Sequence, residues 1–511
     1  MIHRRGFHSL VGASAASAWW PAVLRAEADR PAITHGVAAG DVGGGSAVVW
    51  SRADRPARMI VEHATTDSFR DARRVVGPAA LPEDDFAAKV VLNGLPPGQQ
   101  VVYRVTFQDL GSPKSRSFPA EGRFRTPPAD GSADVRFAWG GDVAGQGYGI
   151  DPGRGGMRIF EAIRRARPDF FLHSGDHVYA DNPILAEVKL DDGSTWKNLV
   201  TEETAKVAET LAEFRARYKY NRLDAHVRRF EAEVPLLAQW DDHETLNNWY
   251  PGEHLDDPRY AVKSVDLLAA RARRAFFESI PTRLQADDPD RIYRSVRHGP
   301  NLEVFLLDMR TYRGANSPNR QEVSGDDSAF LGQDQLRWLA RSLKASTATW
   351  KVVAADMPIG LVVRDGPRDF EALANADPGP PLGRELELAW LLRSWKTDGV
   401  RNVVWLTADV HYAAAHRYDP ARARFADFDP FWEFVAGPMH AGTFGPSDLD
   451  PTFGPEVKFQ SIPPGMKPNR PPSDGLQFFG TVHVRGKKGP MTVALHDIEG
   501  KTLYSVGLDP V

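Results

Sequence analysis

Four short stretches of this chain run from apolar residues into acids and imidazoles: Gly140-Gly141-Asp142, Ser174-Gly175-Asp176, Asp241-Asp242-His243-Glu244 and Ala408-Asp409-Val410-His411. A single aspartate after an apolar run is ordinarily a helix cap or an Asx turn. Four together are different, because carboxylates gathered without a counter-charge repel and raise one another's pKa, whereas divalent or trivalent cations favour the gathering. The chain has no cysteine, so any metal is held by oxygen and nitrogen. Carboxylate with imidazole suits iron, manganese, zinc or calcium. Two such ions sharing a carboxylate would bind phosphate-ester oxygens, acidify a water and neutralise the charge that develops during displacement. His243 is spaced to stand beside such a site and donate a hydrogen bond or proton to a leaving oxygen.

Other residues have weaker claims. Tyr179 lies three after Asp176, on the same face if the loop makes a helical turn. A phenol ligates only a strongly acidic ion, so Tyr179 hints at a ferric site; a packed aromatic is the plainer reading. Glu244, Asn247 and Asn248 follow closely enough to orient ligands or to cap a helix. Arg310 and Arg313 could grip phosphate or pair with neighbouring acids such as Asp308. His173 reads as a core histidine, His440 as a loop residue, and Leu336, Leu339 and Leu343 as a packing stripe; His177 and Asp181 hold no direct ligand role. The "GGDVAGQGYG" loop lacks the spacing of a nucleotide cradle.

The elements that must position these residues divide the chain. Residues 33–127 alternate as short strands around a Pro-Pro-Gly turn, which predicts an antiparallel β-sandwich. The segment "TPPADGSAD", residues 126–134, reads as a linker. Residues 134–511 then alternate continuous apolar strands with amphipathic helices, the mark of a layered α/β domain with a buried sheet. Its last strands, from "QFFGTVHV" onward, read as an antiparallel addition. In such sheets the carboxyl ends of the strands converge on a crevice, which is where all four acid-bearing stretches fall.

These stretches resemble the PhoD-like alkaline phosphatases, a branch of the metallophosphoesterases, through "THGVAAGD", "VVWSRA", "HSGDHVYAD", "WDDHETLNN", "LDMRTYR" and "LTADVHYAAA" in that order. The resemblance implies a four-layered α/β/β/α metallophosphatase domain behind a small fibronectin- or immunoglobulin-like sandwich. It also implies hydrolysis of phosphomonoesters and phosphodiesters at an iron and calcium centre. Matched by position, Asp176 would bridge the metals, Tyr179 and His411 would ligate iron, and Asp242 and Asp409 would ligate the second ion. His243 would be the leaving-group histidine. Familiar members carry a cysteine iron ligand where this chain has Asp142, which leaves zinc, manganese or magnesium as alternatives. Purple acid phosphatases share Gly-Asp-x-x-Tyr, but their Gly-Asn-His-Glu and Gly-His-x-His motifs are missing.

The whole chain bears on localisation and partners. Arg4-Arg5, a mild apolar run and Ala26-Glu27-Ala28 read as a twin-arginine export signal over residues 1–28, predicting a periplasmic or secreted protein handled by the translocation machinery. No run approaches the roughly 18 apolar residues of a stable membrane span. With 511 residues, 25% charged and a net charge of −4, the totals give no reason to expect nucleic-acid binding. The expected substrates are small phosphate esters. The alternatives are a phospholipase D type diesterase acting on lipid or nucleotide diesters, and a non-catalytic exported calcium-binding or interaction protein.

Overall fold

The computed structural model describes residues 30–511; the predicted export signal lies outside the described residues. Two large sheets face each other. One has nine strands, in the order Thr502–Leu508, Met491–Asp497, Phe478–Val484, Val135–Gly140, Phe170–Ser174, Leu236–Gln239, Ile33–Gly43, Ser46–Ala53 and Ala87–Asn93. The other has seven, centred on Leu302–Leu306, Trp350–Ala354, Val403–Thr407 and Phe431–Val435, which pair in parallel in that order.

The core follows from the apolar runs. Phe137, Trp139, Phe170 and Leu172 from the first sheet meet Val304, Val352, Leu406 and Phe434 from the second in a continuous buried cluster. On its other face the seven-stranded sheet packs through Phe305, Val353 and Trp405 against the helices Gln333–Ala345 and Glu385–Thr397, using the Leu336, Leu339 and Leu343 stripe. The nine-stranded sheet is covered by Ile159–Arg165 and Ala225–Glu233 through Phe160, Ile163, Val227 and Phe230. The result is the expected α/β/β/α order. Strands buried on both faces read as unbroken apolar runs, which is why the layers are visible in the sequence.

The N-terminal part is a sandwich of Ile33–Gly43, Ser46–Ala53 and Ala87–Asn93 over a four-stranded sheet, with Met59, Tyr103 and Phe107 fully buried between them. Residues 126–134 carry neither helix nor strand. One sheet nevertheless crosses that divide: Ile33–Gly43 pairs in parallel with Leu236–Gln239, Gly40 opposite Leu236. Among the described residues no helix is long and apolar enough to cross a membrane.

Candidate metal centre

Three neighbouring parallel strands of the first sheet, 135–140, 170–174 and 236–239, end beside one another and deliver Asp142, Asp176 and the Asp241-Asp242-His243-Glu244 run. The 403–407 strand of the second sheet delivers Asp409 and His411. The turns are sharp. Asp142, Asp176, Asp409 and His411 all take left-handed backbone, with φ of 68°, 48°, 66° and 60°, a conformation uncommon for non-glycine residues and enriched in aspartate and histidine. Gly175 has φ of 101°, and a Cβ there would run into the Cβ of Asp241 and lie 3.0 Å from its backbone N.

Ligand-type atoms fall into three overlapping groups, each within 4.8 Å: Asp142, Asp176 and His411; Asp176, Asp242 and His243; and Asp241, Asp242 and Asp409. Asp176 and Asp242 are each shared by two groups. Tyr179 joins the first, its hydroxyl 2.8 Å from His411 Nε2. His411 Nδ1 lies 2.5 Å from the carbonyl of Gly442. That contact makes Nδ1 the protonated nitrogen and leaves the Nε2 lone pair facing Tyr179 and the acids.

The donor chemistry fits cations. Asp142 Oδ2 and Asp242 Oδ1 are buried with no hydrogen-bond partner. Burial pushes Asp142 up to about 8 and lifts Asp176 and Asp409 well above the carboxylate range, with neighbouring acids adding to the rise. Carboxylates so placed take up protons unless a cation neutralises them. Burial likewise raises the Tyr179 phenol and lowers His411 to about 4, leaving that imidazole neutral and able to ligate.

His243 is held from behind by a residue that sequence reasoning set aside: its Nδ1 lies 2.7 Å from Asp181 Oδ1. Burial opposes its charge, but Asp181, Asp242 and Asp176 outweigh burial and raise its pKa well above 6.5. Its ring packs on Tyr179, centroids 4.2 Å apart. Glu244 joins two of the turns, accepting from His177 N at 2.6 Å and from Asp241 N at 2.8 Å. Asn248 N donates to Asp242 Oδ2 at 2.6 Å, and Asn247 N to Asp181 Oδ2 at 3.1 Å.

The centre floors a cavity of about 330 Å³ lined by Asp176, Asp242, His243, Asn247, Asn248, Asp409 and His411, with Val363, Arg364 and Phe444 among its walls. Arg310 and Arg313 do not line it, which corrects the expectation that they grip phosphate. The Arg310 guanidinium is wholly buried and ion-paired to Asp241, Asp356, Glu371 and Asp409. Arg313 is buried against Phe330 and donates to Asn316 Oδ1 and the Glu371 carbonyl. The exposed guanidinium at the cavity is Arg364, on the short hairpin Arg364–Asp365 and Asp369–Phe370.

Sequence reasoning gave Asp241 no role beyond its place in the 241–244 stretch, and missed Asp356. Both follow apolar strands, so the signal that found Asp142 and Asp409 was present. Glu371 carried no such signal. His440 is neither in the cavity nor on the surface: it is buried, packed on Trp196, with Nε2 3.0 Å from the Gly149 carbonyl.

Comparison with known proteins bears on the fold and the family. A solved structure described as PhoD superposes with a TM-score of 0.67 over 93% of this chain and 92% of that one, at 21% identity. A purple acid phosphatase from yellow lupin (Lupinus luteus) seeds superposes with a TM-score of 0.58 over 94% of this chain and 74% of its own, at 12% identity. At these identities the likeness concerns the fold. Alkaline phosphatase D of Bacillus subtilis is 27% identical over 402 residues, which are 74% of this chain and 64% of that protein's length. The family model described as the PhoD-like phosphatase N-terminal domain matches residues 15–128, and that described as PhoD-like phosphatase matches residues 137–495. With the second model spanning most of its length, the chain belongs to the PhoD-like phosphatase family.

Proposed function

We propose that the chain is an exported, metal-dependent phosphoric ester hydrolase acting on phosphomonoesters, with phosphodiesters as a second substrate class. The observation that carries this reading is the overlap of three ligand groups through Asp176 and Asp242 at the floor of an open cavity. Asp142, Asp176, Tyr179 and His411 would hold one cation, and Asp176, Asp242 and Asp409 a second. Bound there, the pair would supply Lewis acidity and a water of lowered pKa. Phenolate with imidazole and carboxylate favours a ferric ion at the first position, and all-carboxylate oxygen favours calcium at the second. Zinc, manganese and magnesium are the competing outcomes of elemental analysis.

The chain's own groups do the remaining work. Asp181 fixes the His243 ring and favours its protonated form, so that His243 can give a proton to the departing alkoxide. Arg364, at the mouth, offers a cation to the non-bridging oxygens or to an anionic leaving group. Val363, Val410 and Phe444 give the organic part of the ester an apolar wall.

Asp176→Asn is the direct test. The expected result is loss of bound metal together with loss of chelator-sensitive p-nitrophenyl phosphate hydrolysis. Retention of both would overturn the assignment, and metal-dependent stability without any esterase activity would favour a binding protein. Comparing p-nitrophenyl phosphate with bis-p-nitrophenyl phosphate separates monoester from diester preference. Export rests on Arg4-Arg5 and Ala26-Glu27-Ala28 and is tested by replacing the arginine pair with lysines and locating the protein.

A further inference from the structure

A cleft of about 770 Å³ is at the other end of the first sheet from the metal centre. It opens where the 135–140 and 170–174 strands begin, at Arg136 and Asp169, whereas the metal ligands follow their ends. Its walls come from both parts of the molecule. Arg123 and Arg125 stand on Ala120–Arg125, an edge strand of the sandwich, and Arg164 and Arg167 stand at and beyond the end of the Ile159–Arg165 helix.

Five arginines line this space against two acids, Asp169 and Glu233. Two of the five are already matched. Arg164 forks onto Glu161 and reaches Glu233 at 2.9 Å, and Arg123 is 3.6 Å from Glu233. Arg164 also sits at a helix carboxyl end, where a cation is favourable in itself. The other three are matched weakly or not at all. Arg125 donates only to the Gly98 carbonyl, at 3.3 Å. The nearest acid to the Arg136 guanidinium is Asp134, 4.0 Å away and already engaged by His483 at 2.7 Å and by Gly486 N. The Arg167 side chain makes no ion pair or hydrogen bond among the described residues. Asp169 offsets Arg125 and Arg136 only in part: burial raises its pKa, the two guanidiniums draw it back, and its carboxylate also accepts from Arg136 N at 2.8 Å.

Three exposed guanidiniums line one concave space, two of them only partly offset by Asp134 and Asp169, and Arg167 without an ion pair among the described residues, so the cleft is locally positive on a chain whose net charge is −4 and draws anions. Guanidinium forks favour phosphate or sulfate oxygens, and the cleft has room for several such groups. We propose that the cleft between the sandwich and the catalytic layers is a second ligand site, for a compact anion carrying several phosphate or sulfate groups, read by Arg125, Arg136 and Arg167. The site is separate from the metal centre and does not depend on its chemistry.

Inositol hexasulfate, a polyanion that a phosphatase does not consume, is a suitable probe for calorimetric titration of the full chain. The expected result is one site whose affinity falls as salt is raised. The triple variant Arg125→Ala, Arg136→Ala, Arg167→Ala should bind about ten-fold or more weakly, since each hydrogen bond between charged groups is worth roughly a decade. Its p-nitrophenyl phosphate turnover should stay at the parent level, which also reports that it is folded. The Asp176→Asn variant should bind the probe as the parent does. Absence of binding to the parent, equal binding by the triple variant, or loss of binding in Asp176→Asn would each overturn the proposal.

Discussion

Arg310 carries a positive charge into a place that water does not reach, among Asp241, Asp356, Glu371 and Asp409. Removing one partner from a buried ionic network leaves charges uncompensated and typically costs about 3–5 kcal/mol. Arg310→Met should therefore destabilise the protein by about that amount in denaturant unfolding, far more than Arg364→Ala at the cavity mouth. Arg364→Ala should leave stability unchanged and raise KM for an anionic ester, with kcat less affected. The two arginines separate a role in holding the site's acids from a role in meeting substrate. His243 is separable in the same way: His243→Asn should lower kcat by about 10²–10⁴-fold, the usual worth of a positioned general acid, while bound metal is retained. The loss should be smallest for esters with good leaving groups, because those need least protonation.

The turns that follow the strands are where the sequence is most legible. An apolar run ending in an aspartate marks both the sheet and its working edge, so Asp142 and Asp176, each after a glycine, and Asp242 and Asp409, each without one, stand out together. Burial of whole strands on both faces makes the layers readable as well. What the sequence conceals is which acids pair with Arg310: Asp241 does, and the adjacent, identical Asp242 does not. Asp181 was hidden for a related reason: its contact with His243 spans 62 residues and depends on the loop path, not on local spacing. Gly175 tests how tightly the turn is set. Gly175→Ala puts a Cβ into Asp241 at a φ of 101°, so it should lower metal occupancy along with stability, the strain alone costing about 1–3 kcal/mol. Elemental analysis and thermal unfolding of that one variant check both effects.

At the scale of the whole molecule, the sequence reads as two parts joined at residues 126–134, whereas the hydrogen bonding runs through both. The pairing of the 33–43 strand with the 236–239 strand places a sandwich strand directly beside one that delivers Asp242. A buried ion pair reinforces the junction, Arg294 to Asp41 at 2.6 Å, and Asp41 also accepts from Thr282 and from Arg283 N. Trp50 Nε1 donates to the Glu278 carbonyl at 2.7 Å and its ring lies under Arg222, 4.1 Å away. Alternating strands show that a sandwich forms but not which of its strands continues into the neighbouring sheet, since long-range pairing leaves no local trace. His298, buried between the sheets against Phe170, gives a global pH test. Burial lowers its pKa to about 4, so between about pH 6.5 and 4 the unfolded chain binds a proton that the folded one does not, and stability falls with falling pH. His298→Leu should flatten that slope by up to about 1.4 kcal/mol per pH unit, measured by denaturant unfolding across the range. The shared sheet makes a stronger demand. A chain lacking residues 30–127 would expose the edge of the 236–239 strand and leave Arg294 without Asp41, so it should fail to fold as a soluble phosphatase. The intact protein should instead unfold in a single transition, with loss of metal and loss of sandwich structure coinciding. Recovery of a soluble, metal-loaded, active fragment from residue 134 onward would show that the two parts are independent after all.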